Sequence, residues 1–107
     1  YGSAGTAAVE VKNSQAVNNT SYGVYAWTDS GGTAQGSVSD NLISGNSING
    51  IFASGSAATV TASGSTITRN GTGLAQASSA VVETAGDNVV RYNGAATSGT
   101  VVAISKM

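Results

Sequence analysis

At 107 residues, 40% hydrophobic and only 8% charged, the chain can bury one small core. That core must be aliphatic, because Phe, Met and Trp occur once each. A net charge of −1, with Lys12, Arg69, Arg91 and Lys106 spread along the chain, excludes the basic patch that nucleic acid or an anionic membrane needs. The absence of Cys and His removes disulfides, thiolate ligands and the usual general base, and no apolar run is long enough for a membrane-spanning helix.

In chain order, short segments of period-two character predict strands at Val9-Glu10-Val11, Val24-Tyr25-Ala26-Trp27, Ile51-Phe52-Ala53, Thr59-Val60-Thr61-Ala62 and Thr100-Val101-Val102-Ala103-Ile104. Between them, fifteen Gly and many Asn permit left-handed backbone at sharp corners, and there is no Pro. No apolar i, i+3, i+4, i+7 stripe runs through three turns, so essentially no helix is expected.

One phrase recurs along the chain: a β-prone residue, an Asn shortly after, then Gly and an apolar pair. It runs from Ala16 through Asn19 to Gly23-Val24-Tyr25, from Ile43 through Asn46 to Gly50-Ile51-Phe52, and from Ile67 through Asn70 to Gly73-Leu74-Ala75. A fourth copy runs from Val90 through Asn93 to Gly99-Thr100-Val101, with a wider gap. The asparagines are 27, 24 and 23 residues apart, a spacing that signals one supersecondary unit stacked on copies of itself.

The fold class expected is therefore all-β, a parallel β-helix (solenoid) of about four to five rungs, with neighbouring strands ~4.8 Å apart. Residues 1–107 form a single domain with rungs near 9–35, 36–58, 59–80 and 81–107. Stacking would align Ala16, Ile43, Ile67 and Val90 in one aliphatic column, and Val24, Ile51 and Leu74 in another. Asn19, Asn46, Asn70 and Asn93 would form a structural ladder, their amides bonding from rung to rung. Glycosylation is the rival use of Asn18, Asn19 and Asn70, which sit in sequons, but Asn recurs at this phase with or without the sequon. Tyr1-Gly2 repeats the phase of Tyr22-Gly23, so the chain is expected to open in mid-rung, and Thr100 to Ile104 read as a closing strand. The chain is then the C-terminal end of a longer stack, or one self-capped by association through its open N-terminal rung.

The stretches from Val38 to Asn46 and from Gly64 to Leu74 resemble right-handed parallel β-helix repeats of the pectate-lyase type. The likeness is nearest to uncharacterised exported bacterial β-helix proteins, which often end in a rung resembling Ala85 to Gly94. The resemblance implies right-handedness, which parallel crossovers also favour. With the Ser/Thr/Asn/Gly-rich style, it implies a secreted or cell-surface location in a bacterium. Enzymes of that fold act on acidic polysaccharides through clustered Asp carboxylates, or through calcium with an Arg base.

Here the carboxylates are scattered. Asp40 and Asp87 share a phase two rungs, or roughly 10 Å, apart, and each stands where an Asp accepts backbone hydrogen bonds in a turn. Arg69 and Arg91 differ by one in phase and are read as keeping the surface soluble. The pairs Thr59/Thr61 and Thr66/Thr68 lie in one rung rather than repeating on every rung as an ice-binding array would require. No catalytic residue, metal or cofactor is expected.

If Val24 and Ala26 point inward, Tyr25 and Trp27 point outward, with Phe52 beside Tyr25 on the next rung. These three are the expected binding residues, unless a loop such as Thr28 to Ala34 covers them. The function expected is a non-catalytic structural or adhesive module that meets a glycan or cell-surface component. The alternatives are a fragment of a polysaccharide lyase or hydrolase with catalytic rungs upstream, and a self-assembling solenoid. Neither nucleic acid nor membrane insertion is expected.

Overall fold

A computed structural model describes residues 5–28 and 32–105. The mid-rung opening at Tyr1-Gly2, the middle of the proposed covering loop and the terminal Lys106-Met107 lie outside the described residues. The described residues form strands and corners, with no helix.

The first coil contains β1 (Thr6–Lys12), β2 (Gln15–Val17) and β3 (Tyr22–Trp27), and the second β4 (Thr33–Ser39), β5 (Leu42–Ser44) and β6 (Asn49–Ser54). The third contains β7 (Ala58–Ser63), β8 (Thr66–Thr68) and β9 (Thr72–Ala77), and the fourth β10 (Val81–Thr84), β11 (Val89–Arg91) and β12 (Ala95–Ser98). After them β13 (Val101–Ala103) begins another pass. Every third strand pairs in parallel, giving three sheets: β1-β4-β7-β10-β13, β2-β5-β8-β11 and β3-β6-β9-β12. The molecule is a parallel β-solenoid of about four turns, all-β as the repeat predicted.

Alternation sets which side of each strand is buried. In β7, Ala58, Val60 and Ala62 are buried while Thr59, Thr61 and Ser63 are half-buried on the outside. The inward column of the second sheet is Ala16–Ile43–Ile67–Val90, and that of the third is Val24–Ile51–Leu74. Ile43, Ile51, Ile67, Val38, Val60 and Val82 are fully buried, and among the described residues the apolar core is built only of Ala, Val, Ile and Leu. Burying each such aliphatic side chain contributes about 1.5–3 kcal/mol.

β4 was not among the segments expected to be strands, yet it lies between β1 and β7. Its inward centre is Gly36, buried, with the Val60 methyls 3.4 and 3.9 Å from where a Cβ would stand. Val60, one coil on, fills the volume that Gly36 leaves, which explains why the segment looks too poor in apolar residues to be a core strand.

The asparagine phase carries a directional chain of hydrogen bonds. Nδ2 of Asn19 donates to Oδ1 of Asn46 (2.7 Å), that of Asn46 to Oδ1 of Asn70 (2.8 Å), and that of Asn70 to Oδ1 of Asn93 (3.0 Å). The backbone N–H of each of the first three donates to the same oxygen. The second Nδ2 proton goes back one coil, from Asn46 to the Ala16 carbonyl, from Asn70 to that of Ile43 and from Asn93 to that of Ile67. Asn46 and Asn70 are buried, so satisfying both donors and the acceptor is a condition of placing an amide there.

The glycine in each repeat has a steric cause. A Cβ on Gly50 would stand 2.8 Å from Nδ2 of Asn70, 2.8 Å from the Gly73 carbonyl and 3.0 Å from Cγ2 of Ile67. Gly23 and Gly73 meet the equivalent atoms of their own next coil at 2.7–3.0 Å. Asn and Gly are thus one device: the amide occupies the space that a side chain at the glycine would need. The fourth copy corrects the sequence reading. Thr72 pairs with Ala95 and Leu74 with Thr97, which puts Ala96, not Gly99, in the glycine column. Among the described residues its strand β12 is at the edge of its sheet, and its methyl meets no further coil there.

Candidate binding surface

The third sheet carries an aromatic cluster on its outer side. In β3, Ala26 is buried and Val24 half-buried, whereas Tyr25 and Trp27 are 41% and 38% exposed. The register sets Tyr25 beside Phe52 of β6, with ring centroids 5.0 Å apart and planes at 24°. Trp27 lies 6.4 Å from Tyr25, also at 24°. Tyr22 joins them, 4.6 Å from Tyr25 and 5.4 Å from Phe52 at 14°. Three of these pairs are stacked and Tyr22–Tyr25 is tilted at 37°, so the four rings form one packed ridge. The ridge ends after two coils, because Phe52 is followed in its column by Ala75, and Trp27 by Ser54 and Ala77.

Tyr22 is the member that alternation misses. It has the parity of the inward Val24 and Ala26, but as the first residue of β3 it stands at the corner, where parity no longer fixes the face.

Asp40 and Asp87 both lie at the corner between the first two sheets, after β4 and β10. Asn13 (φ 52°), Asp40 (φ 56°) and Gly64 (φ 55°) occupy one left-handed position on successive coils. Asp87 Oδ1 accepts the Gly64 N–H of the preceding coil at 2.9 Å, a bond between coils. The described residues hold no cluster of three potential metal-binding side chains.

Beside this corner runs a second polar column that the sequence reading missed. The Ser14 N–H donates to Oδ1 of Asn41 (2.8 Å), the Asn41 N–H to Oγ of Ser65 (3.3 Å), and the Ser65 N–H to Oδ1 of Asn88 (3.0 Å). Asn41 and Asn88 also donate back to the carbonyls of Val11 and Ala62. Ser and Asn alternate here, so a search for one repeated letter passes over it. The two columns flank the three-residue strands of the second sheet.

Arg69 and Tyr92 hold left-handed backbone (φ 56° and 60°), with Nη1 of Arg69 3.5 Å from Oγ1 of Thr68. Arg91 pairs with Thr68 across the sheet and lies 5.0 Å over the Tyr92 ring. The threonine pairs belong to different sheets, Thr59 and Thr61 to β7 and Thr66 and Thr68 to β8, so they do not make one array. No helix of the described residues is long and apolar enough to cross a membrane.

The fold and these contacts define the class, a parallel β-solenoid with an aliphatic core and an outward aromatic ridge. Compared with family models, curated proteins and solved structures, the chain finds no match.

Proposed function

We propose that this chain is a non-catalytic structural or adhesive solenoid module that holds a glycan at a bacterial cell surface through Tyr22, Tyr25, Trp27 and Phe52. One observation carries the reading: among the described residues the core contains no aromatic side chain, yet four of the chain's six aromatics stand together on one outer face. An aromatic excluded from the core exposes apolar area that a partner can cover, and Tyr and Trp combine that area with a polar tip. The C–H face of a sugar ring suits such a surface. The pectate-lyase-like kinship and the exported, bacterial origin belong to this reading and rest on the likeness of the repeats.

The test is a glycan-array screen of the native chain and of Trp27→Ala, Tyr25→Ala, Asp40→Asn and Asp87→Asn, each checked for a native melting curve. Retention of a glycan by the native chain and the two Asp variants, lost in the two aromatic variants, supports the module. Aromatic variants that bind as well as the native chain would refute it. Turnover abolished by either Asp variant would instead favour a fragment of a polysaccharide-degrading enzyme.

A further inference from the structure

The corner between the second and third sheets has one left-handed position on each coil, held in turn by Asn18 (φ 57°), Gly45 (φ 73°), Arg69 (φ 56°) and Tyr92 (φ 60°). Asn and Gly adopt this backbone most cheaply. The third and fourth coils place long side chains there instead, and strain retained on two adjacent coils points to a use for those side chains. Packing is not that use, because both are exposed, Tyr92 at 71%.

Arg91 completes the cluster. It follows the inward Val90 and so points outward, one coil beyond Thr68, with its guanidinium 5.0 Å over the Tyr92 ring. Arg69 lies over the hydroxyl of Thr68, which points outward yet is only 7% exposed and sits 3.3 Å from the hydroxyl of Ser44. The chain's two arginines thus stand on neighbouring coils of one flank. The described carboxylates, Glu10, Glu83, Asp40 and Asp87, belong to the first sheet or to its corner with the second, at the other end of the second sheet's short strands. This corner therefore carries two positive charges and, among the described residues, no carboxylate.

We propose that Arg69 and Arg91 together bind a dianionic phosphoryl group on this flank. Two guanidinium charges balance a dianion, whereas a carboxylate or a sulfate monoester carries a single charge. Each guanidinium offers a fork of N–H donors that matches two oxygens of such a group. The Tyr92 ring covers one face of Arg91, and the Thr68 hydroxyl holds Nη1 of Arg69, so less freedom is lost when the anion arrives. Two charges suit one small group, not the extended basic patch that nucleic acid or a membrane needs. The aromatic ridge, on the third sheet of the first two coils, plays no part in this site.

The experiment follows the Cζ signals of the two arginines by NMR while methyl phosphate is added to the native chain. Both signals should shift and saturate at millimolar concentration. Binding should be about tenfold tighter at pH 7 than at pH 5, because the second ionisation of the ester falls at about 6, and the chain has no His to titrate in that range. Arg69→Asn relieves the left-handed backbone and so folds; it and Arg91→Asn should each weaken binding about tenfold, while Lys12→Asn, on the first sheet, should leave it unchanged. Inorganic phosphate in a parallel titration distinguishes the source: tighter binding of methyl phosphate supports a monoester ligand, tighter binding of inorganic phosphate a free ion. Shifts that do not saturate would overturn the proposal, as would methyl sulfate or acetate binding as tightly as methyl phosphate, unchanged affinity in either Arg variant, or an equal loss in Lys12→Asn.

Discussion

Replacing Asn46 by Ala tests whether the amide column holds the coils together. The side chain of Asn46 makes four hydrogen bonds, accepting from N and Nδ2 of Asn19 and donating to the Ala16 carbonyl and to Oδ1 of Asn70. A neutral hydrogen bond contributes about 0.5–1.5 kcal/mol net, and a buried partner left alone costs more. Asn19 is exposed and regains water, and Oδ1 of Asn70 keeps the Asn46 backbone N–H. The loss should therefore be about 2–3 kcal/mol, mostly from the two donor bonds. Asn49 is the control, three residues away and also buried, but its side chain makes no hydrogen bond to the described residues. Asn49→Ala should cost below about 1 kcal/mol. With a urea slope of about 1–1.5 kcal/mol/M for a chain of this size, Asn46→Ala should unfold at a midpoint lower by about 2 M. Far-UV circular dichroism and Trp27 fluorescence follow the transition independently. Equal midpoints for the two variants would refute a stabilising role for the ladder.

Asn46→Asp keeps the shape but, once ionised, turns an acceptor oxygen in place of the Nδ2 donor toward two other acceptors, the Ala16 carbonyl and Oδ1 of Asn70. The folded chain then holds the carboxyl proton more tightly than the unfolded one, so the variant should lose stability as pH rises from the unfolded value near ~4; urea midpoints flat between pH 3 and 7 would contradict this. Gly50→Ala should cost more than about 3 kcal/mol, or prevent folding, because its Cβ would meet an amide, a carbonyl and a methyl within 3.0 Å. Gly86→Ala, where φ is +85° and nothing lies within 4 Å, should cost only the backbone term of about 1 kcal/mol; equal melting temperatures would refute the steric argument. Arg69→Asn should raise the melting temperature by a few degrees, about 0.5 kcal/mol, since Asn tolerates φ near 56° better than Arg. Arg91→Asn, within β11, should bring no such gain.

The fold was legible because stacking turns a period along the chain into contact in space. Ile43 and Ile67 are 24 residues apart and become direct neighbours, so the same choice of residue is made at both. The signal failed wherever one coil solved the problem with a different residue. Gly36 left its inward volume to Val60, and so β4 did not look like a core strand. Ser65 took a place that Asn holds in the coils on either side, because its hydroxyl can accept from the Asn41 N–H. Tyr22 sits at a corner, beyond the reach of alternation. Gly99 looked like the fourth repeat glycine because the letter matched, although its φ of +76° serves a turn. The residue in register is Ala96, which no letter-matching could select, since a glycine is required only where another coil follows.

That last exception bears on how the ridge and the stack are related. A core of Ala, Val, Ile and Leu can be repeated coil after coil, because each coil is filled by short side chains that fit over one another. An aromatic ring in such a column would overfill its coil and force the neighbouring coil aside. Rings are therefore confined to outward positions, where Tyr25 and Phe52 pack without disturbing the spacing. The core sets the geometry of the column and leaves the outer face free to vary. The same separation predicts that Phe52→Ala, which removes a ring bridging two coils, should weaken ligand retention while leaving the asparagine column and its hydrogen bonds in place. If it instead loosened the stack as severely as Asn46→Ala, the aromatic cluster would be part of the structure rather than a surface carried by it.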